Sequence, residues 1–400
     1  MQIIYDFLCF FNTKKIFTLT FFFICTSFVF PQNIVKLFSL IILPSILIVG
    51  FKKRLYDTVF ILSILFSFLY ASFTYLNGYR GVGDTLAAFV NIPLFYIIGR
   101  HLVSSHKLNI YLIFFFICEL IALPVIVDVI RDINVNGFVS QSRALTEYND
   151  DIYVSATILG LKVSLSISAL GVLFSEVVNE SEKLYRNLFL VFSILGIICV
   201  LHMVNRTGIV IGLFSMLICM LLNYKASSKL RLILIVIMLI TTLYVYFTTS
   251  EKSTDVMEAY LARESSSSYD SSSFGGRTEL WIKGLHDLFN YPLGMLSNYR
   301  GRFSHNLWLD TAATSGLLPF FILVVISIIH IKKSIHLIKA TNGLLKSLIL
   351  CCNIGFFLNC FVEPAMEGCP LFIWLFFLFM GVVSQLDRTC QKINKQNHQY

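Results

Sequence analysis

Runs of about 14 to 25 mostly apolar residues recur from Ile16 to Leu386, and roughly 20 such residues are what a helix needs to cross a bilayer. This recurrence constrains the fold more than any motif. The hydrocarbon core holds no water, so a backbone crossing it must satisfy its own N–H and C=O groups, and a helix does so within a single segment. Composition points the same way. With 38 Phe and 14% charged residues in 400, there is too little polar surface to cover a soluble globule of this size. The expected class is an all-α polytopic membrane protein.

On that ruler the chain divides into about twelve spans: Ile16 to Phe30, Ile34 to Phe51, Val59 to Tyr75, Thr85 to Ile98, Ile110 to Ile130, Tyr153 to Val177, Leu188 to Val204, Ile209 to Leu222, Leu232 to Thr249, Leu317 to Ile331, Gly343 to Val362 and Leu371 to Leu386. One long polar stretch interrupts them. The organisation expected is therefore helices over 1–249, a long external loop with short amphipathic helices over 250–305, and further helices and a tail over 306–400.

Lys and Arg gather in every second connection, at Lys14 and Lys15, Lys52 to Arg54, Arg100 and Lys107, Lys183 and Arg186, Lys225 to Arg231, Lys332 to Lys339, and Arg388 to Lys395. Short cytoplasmic loops hold such an excess. Both termini then fall in the cytoplasm, and Arg80, Arg131, Arg143, Arg206 and the 250–305 loop fall outside. The net charge of +8 is an insertion signal, because the charges lie in single loops and not along one face with interleaved aromatics; nucleic acid is excluded as a partner. The lysine-led N-terminal run lacks an A-x-A-like site and reads as a retained helix. Cys25, Cys118, Cys199, Cys219, Cys351 and Cys352 sit inside apolar runs as small hydrophobes, and Cys360 and Cys369 are the pair placed to meet near the outer face.

The polar segment from Gly275 to Pro319 is where chemistry in water is to be sought. ESSSSYDSSSFGG reads as a linker. In the following RTELWIKGLHDLFNY, Leu280, Trp281, Gly284, Leu285 and Leu288 recur at helical spacing, which predicts an amphipathic helix closed by Tyr291-Pro292. Arg277 lies in its first turn, where a cation gains nothing from the helix macrodipole, so an anionic partner is expected, either a ligand or a neighbour such as Glu279. Asn205-Arg206-Thr207-Gly208 forms a hinge between apolar runs, with Gly208 and Gly212 leaving room for another backbone or a lipid headgroup. Lys162, inside a span, needs a partner, and Glu119 is the candidate. Glu363 is a further acidic group placed to contact sugar or arginine, while Trp281, Trp308 and Tyr299 read as interface anchors.

Arg206, Arg277 and His305 fall at one face on this topology. Guanidinium forks suit phosphate oxygens, and imidazole suits proton transfer near neutrality. No carboxylate cluster accompanies them outside, so no metal or other cofactor is expected.

His305-Asn306, nine residues, then Gly316-Leu317-Leu318-Pro319 resembles the H-N-x9-G signature of the O-antigen ligase and O-antigen polymerase family. GGRTELW followed by NYPLG, ending in Gly294, resembles the stretch just upstream, and Arg206-Thr207-Gly208 resembles the family's arginine between central spans. The resemblance is strongest over residues 190–331. It implies a metal-independent membrane glycosyltransferase of the bacterial inner membrane with a periplasmic site and a glycan donor on undecaprenyl pyrophosphate. Carried onto this sequence, Arg206 and Arg277 bind the pyrophosphate, and His305 activates or orients the acceptor hydroxyl. Arg143, Asn306, Arg302 and Glu363 are further substrate contacts. The partners implied are the lipid-linked donor, an acceptor that is a lipid-linked repeat unit or lipid A core, the bilayer and a chain-length regulator. Pro319 stands where many ligases carry a small or polar residue, which favours the polymerase over the ligase. A flippase for the same lipid-linked sugar is the alternative of another class, though transporters usually show internal repeats and midplane charges.

Overall fold

Each apolar run that falls on described residues is largely helical. The structure is a computed structural model and describes residues 47, 50–51, 54–104, 109–138, 144–146, 153–223, 277–299 and 303–397. Eight of its helices are long and apolar enough to cross a membrane, nine if one bent pair is a single span. In chain order the elements are α1 (Thr58–Leu76), α2 (Val82–Ser104), α3 (Ile110–Glu119), α4 (Ala122–Asn136), strands β1 (Ala144–Thr146) and β2 (Tyr153–Ser155), α5 (Ala156–Ser168) prolonged by a 3-10 turn over Ala169–Phe174, α6 (Glu180–His202), α7 (Arg206–Asn223), α8 (Arg277–Asn290), α9 (Leu307–Ser315), α10 (Leu317–Ala340), α11 (Gly343–Val362), α12 (Ala365–Gly368) and α13 (Pro370–Asn397). The expected spans Ile16 to Phe30 and Leu232 to Thr249, and nearly all of Ile34 to Phe51, lie outside the described residues.

Two features depart from the sequence reading. The span expected from Ile110 to Ile130 is broken, with α3 and α4 bent by 45°. Pro124, in the first turn of α4, has no N–H to bond the Leu120 carbonyl, and a helix bends where that bond is missing. The polar stretch after α4 holds an antiparallel ladder, Leu145 opposite Val154, in a chain expected to be all-α.

The chain forms two compact units: Met1–Ile113 with Leu280–Ala340 and Pro364–Tyr400, and Phe114–Glu279 with Thr341–Glu363. In the first unit α2 and α13 pack backbone against backbone. A Cβ added at Gly99 would lie 2.1 Å from the Leu378 carbonyl oxygen, and one at Gly381 would lie 2.1 Å from that of Tyr96. Close approach through small residues is the usual way for helices to associate in lipid, where apolar burial offers no preference.

One end of this unit is locked by Asp57. Its carboxylate accepts from Phe60 N–H at 3.1 Å, Tyr96 O–H at 2.8 Å, Ser384 O–H at 2.8 Å and Lys333 Nζ at 3.1 Å, and pairs with Arg100 Nη1 at 3.0 Å. Arg100 also donates to Gln385 Oε1 at 3.0 Å. Burial acts to raise the Asp57 pKa, but Arg100, Lys333 and the donated hydrogen bonds outweigh it and hold the carboxyl below the usual range. Arg388 donates to the Arg54 carbonyl at the same end, so residues from several basic clusters of the sequence collect there.

In the second unit, Ile167 of α5 is enclosed by glycines. A Cβ at Gly196, Gly208 or Gly212 would meet its side chain at 2.8, 3.2 and 2.7 Å respectively. The space beside Gly208 and Gly212 is therefore filled by Ile167 and Val200, not by a headgroup. Cys118 and Cys352 stand 3.5 Å apart and Cys219 and Cys351 3.7 Å apart, as buried free thiols. Cys360 and Cys369 are also free, so the bridge considered for them is absent. Glu119 is fully buried against Ser166, and its oxygens do not meet Lys162.

Candidate functional site

The second unit holds three of the predicted site residues, Arg206, Arg277 and Glu363, at the end where α6 closes and α7 begins. The chain reverses through Val204, whose φ of 53° is left-handed, and Asn205, whose N–H bonds the Val200 carbonyl at 2.8 Å. The Asn205 side chain accepts from Gly208 N–H at 3.2 Å, capping α7, and donates to the Ala156 carbonyl at 2.9 Å. Arg206 is thereby fixed as the first residue of α7, with its side chain exposed.

Thr207 donates its hydroxyl to Glu363 Oε1 at 2.8 Å, and Arg277 Nη2 donates to the same oxygen at 3.3 Å. Glu363 caps the C-terminal end of α11 ahead of Pro364, with its side chain 3% exposed, while Arg277 is 23% exposed. The sequence reading gave Arg277 a ligand, Glu279 or a neighbouring Asp as its anion, and gave Glu363 a sugar or an arginine; in the structure Arg277 and Glu363 meet each other. Both arginines open a helix, where the dipole repels them and an anion meets guanidinium and helix terminus together.

His202, which sequence reasoning passed over, braces this turn from below. It is fully buried at the last residue of α6, with Nδ1 2.6 Å from the Phe138 carbonyl oxygen and Nε2 2.7 Å from Asp132 Oδ2. Asn136 in turn donates to Asp132 Oδ1 at 2.7 Å. Both ring nitrogens face acceptors, so the ends of α4 and α6 are tied through one imidazole. The signal available in sequence was a histidine in the last turn of a helix, followed by a turn.

The turn has a built-in steric condition. A Cβ at Gly160 would lie 1.9 Å from Asn205 Nδ2. Gly160→Ala is expected to displace that amide and to cost about 1–3 kcal/mol in unfolding measurements on the detergent-solubilised protein. Adding Asn205→Ala should cost much less in this background than alone, because the two changes share one contact.

His305 and Asn306 belong to the first unit. Asn306 caps α9 by accepting from Leu309 N–H at 3.2 Å, and Gly316 closes the helix at its other end. The spacing H-N-x9-G is thus an N-cap, a helix of nine residues and a C-cap glycine. Gly316, with φ 88°, lies where a Cβ would come within 2.3 Å of the Pro292 carbonyl oxygen. Gly294, with φ 87°, meets Asn77 and Thr314 as closely, so the NYPLG turn docks on the end of α9. Leu317 N–H to Pro292 O at 2.9 Å and Met295 N–H to Ala313 O at 2.8 Å complete the joint.

At the start of α9, His305 has a left-handed φ of 55°. A non-glycine residue holds that conformation only where its surroundings dictate it. Here the buried Asp310 carboxylate accepts from the groups on either side: Ser304 N–H and O–H, both at 2.8 Å, and Asn306 N–H at 3.1 Å. Trp281 of α8 donates to the Ser304 carbonyl at 2.9 Å, so the tryptophan of the GGRTELW stretch supports the histidine loop. Leu285 departs from expectation: it is exposed, and the face of α8 turned inward is that of Gly284 and Leu288. Arg143 and Arg302 lie outside the described residues. Among the described residues, no group of three or more His, Cys, Asp or Glu side chains is placed to hold a metal ion.

In chemical terms the second unit offers a guanidinium, a hydroxyl and a carboxylate in mutual contact, with a second arginine preceding the hydroxyl in the chain, and the first offers an imidazole on a clamped loop. No protein-family model and no curated protein matches this chain.

Proposed function

We propose that the protein is an O-antigen polymerase, joining lipid-linked oligosaccharide repeat units at the periplasmic face of a bacterial inner membrane that it crosses about twelve times, with both termini in the cytoplasm. The observation that supports this reading is the meeting of Arg277, Thr207 and Glu363, with Arg206 next in sequence to Thr207, at helix N-termini of the kind that favour anions. The basic end of the first unit, with Arg100, Lys333 and Arg388, supports the orientation.

In the reaction, the acceptor hydroxyl attacks the anomeric carbon of the donor. The bond from that carbon to the diphosphate oxygen breaks, and the hydroxyl proton passes to His305. The undecaprenyl diphosphate leaves with the bonding electron pair, its charge met by Arg206 and Arg277. The leaving group is already activated, so this chemistry asks the protein for binding, orientation and a base.

Deleting the gene tests the reading through the lipopolysaccharide ladder. Core bearing a single repeat unit is the expected outcome. Bare core, with polymer accumulating on the carrier lipid, identifies a ligase; bare core, with single lipid-linked units retained on the inner face, identifies a flippase. Complementation with Arg206→Gln or Arg277→Gln is expected to leave the ladder short, and full restoration by either removes that arginine from the site.

A further inference from the structure

The guanidinium assigned to the donor phosphate is already engaged by a carboxylate of the same chain. We propose that Glu363 is the resident anion of the phosphate locus, displaced from Arg277 when a diphosphate ester binds and returning as the diphosphate leaves. This rests on the reading of that locus as a phosphate site and adds to it a device for product release.

The contact has the form of an exchangeable one. Arg277 reaches Glu363 through a single nitrogen at 3.3 Å, whereas charge-assisted pairs usually close to about 2.7–2.9 Å and a guanidinium can grip phosphate with two parallel bonds. Glu363 also has a second donor on the same oxygen, the Thr207 hydroxyl at 2.8 Å, which stays with it when Arg277 turns away. Arg206, Arg277 and Glu363 together carry one net positive charge. A bound diphosphate brings at least two negative charges into the same place, and like charges in close contact disfavour binding. Glu363 therefore lowers anion affinity whether it yields or stays. For a site that must release a diphosphate after each transfer, weaker product binding favours turnover.

Inorganic pyrophosphate is the probe, titrated calorimetrically at fixed ionic strength into the full-length protein in detergent. Glu363→Gln keeps the shape and removes the charge, and is expected to bind pyrophosphate about tenfold more tightly than the wild type, which is about 1.4 kcal/mol. Glu363→Asp keeps the charge but withdraws it from Arg277 by one methylene, and is expected to fall between the two; it decides the matter should the glutamine variant fail to fold. Arg277→Gln is expected to lose binding. If neither Glu363 variant binds more tightly than the wild type while Arg277→Gln has lost binding, the resident-anion proposal is overturned and the phosphate locus stands. If Arg277→Gln binds pyrophosphate as the wild type does, the locus itself is wrong and the proposal goes with it.

Discussion

Asp57→Ala is expected to destabilise the protein by about 3–5 kcal/mol, the cost of leaving a buried cation without its counter-ion. Arg100 is 1% exposed and cannot turn to water, while Lys333 is 25% exposed and can partly do so. The lost carboxylate also served Tyr96, Ser384 and the N-terminal turn of α1, so four helices lose their shared partner. A double variant, Asp57→Ala with Arg100→Leu, should recover much of the loss, since removing both members of a buried pair is often nearly neutral. Asp57→Ala with Lys333→Met should recover less. Thermal or denaturant unfolding in detergent checks the order. A loss within about 0.5 kcal/mol for the single change, the range of an ordinary surface substitution, would show that the lock is incidental.

Helix positions were legible because a lipid core asks for one property over many consecutive residues, and the apolar runs report it directly. Interruptions were legible in part. Pro124 was there to be read as the break between α3 and α4, but its run remains apolar on both sides and hydropathy alone passes over it. Which residues of neighbouring helices meet was not legible: Glu119 was the partner expected for Lys162, yet it lies against Ser166. The same holds on α8. At about 100° per residue Leu285 lies roughly 80° from the line joining Gly284 and Leu288, so it fits the spacing loosely and falls with Ile282 and Phe289 on the exposed side.

The site divided along similar lines. Arginines at helix starts and a capping asparagine are local signals, and the sequence carried them. Glu363 was placed to contact an arginine, but that the arginine is Arg277, and that Asp310 clamps the His305 loop, depend on side-chain direction after packing. An Asp four residues after an N-cap reads as helix-dipole compensation, and only its three bonds to Ser304 and Asn306 show that it shapes the backbone around His305.

That clamp separates two ways of disabling the histidine. Asparagine tolerates left-handed backbone better than other non-glycine residues, so His305→Asn should leave the loop and its stability nearly intact while removing the proposed proton acceptor. Polymerisation, followed by ladder length on complementation or by transfer between purified lipid-linked units, is expected to fall about 10²–10⁴-fold, the usual contribution of a positioned acid or base. Asp310→Asn acts differently. An amide has one accepting oxygen where the carboxylate has two, so either Ser304 or Asn306 would face its NH2 and a buried donor would lose its partner, at about 1–3 kcal/mol. With the clamp open, His305 would relax from φ 55° and its imidazole would shift, so this variant should lose both stability and activity. His305→Val should lose both as well, since a β-branched side chain does not tolerate that backbone. The informative comparison is therefore between the two His305 variants: if asparagine supports full-length polymer while valine does not, the residue is needed for its backbone alone and the base must be sought elsewhere.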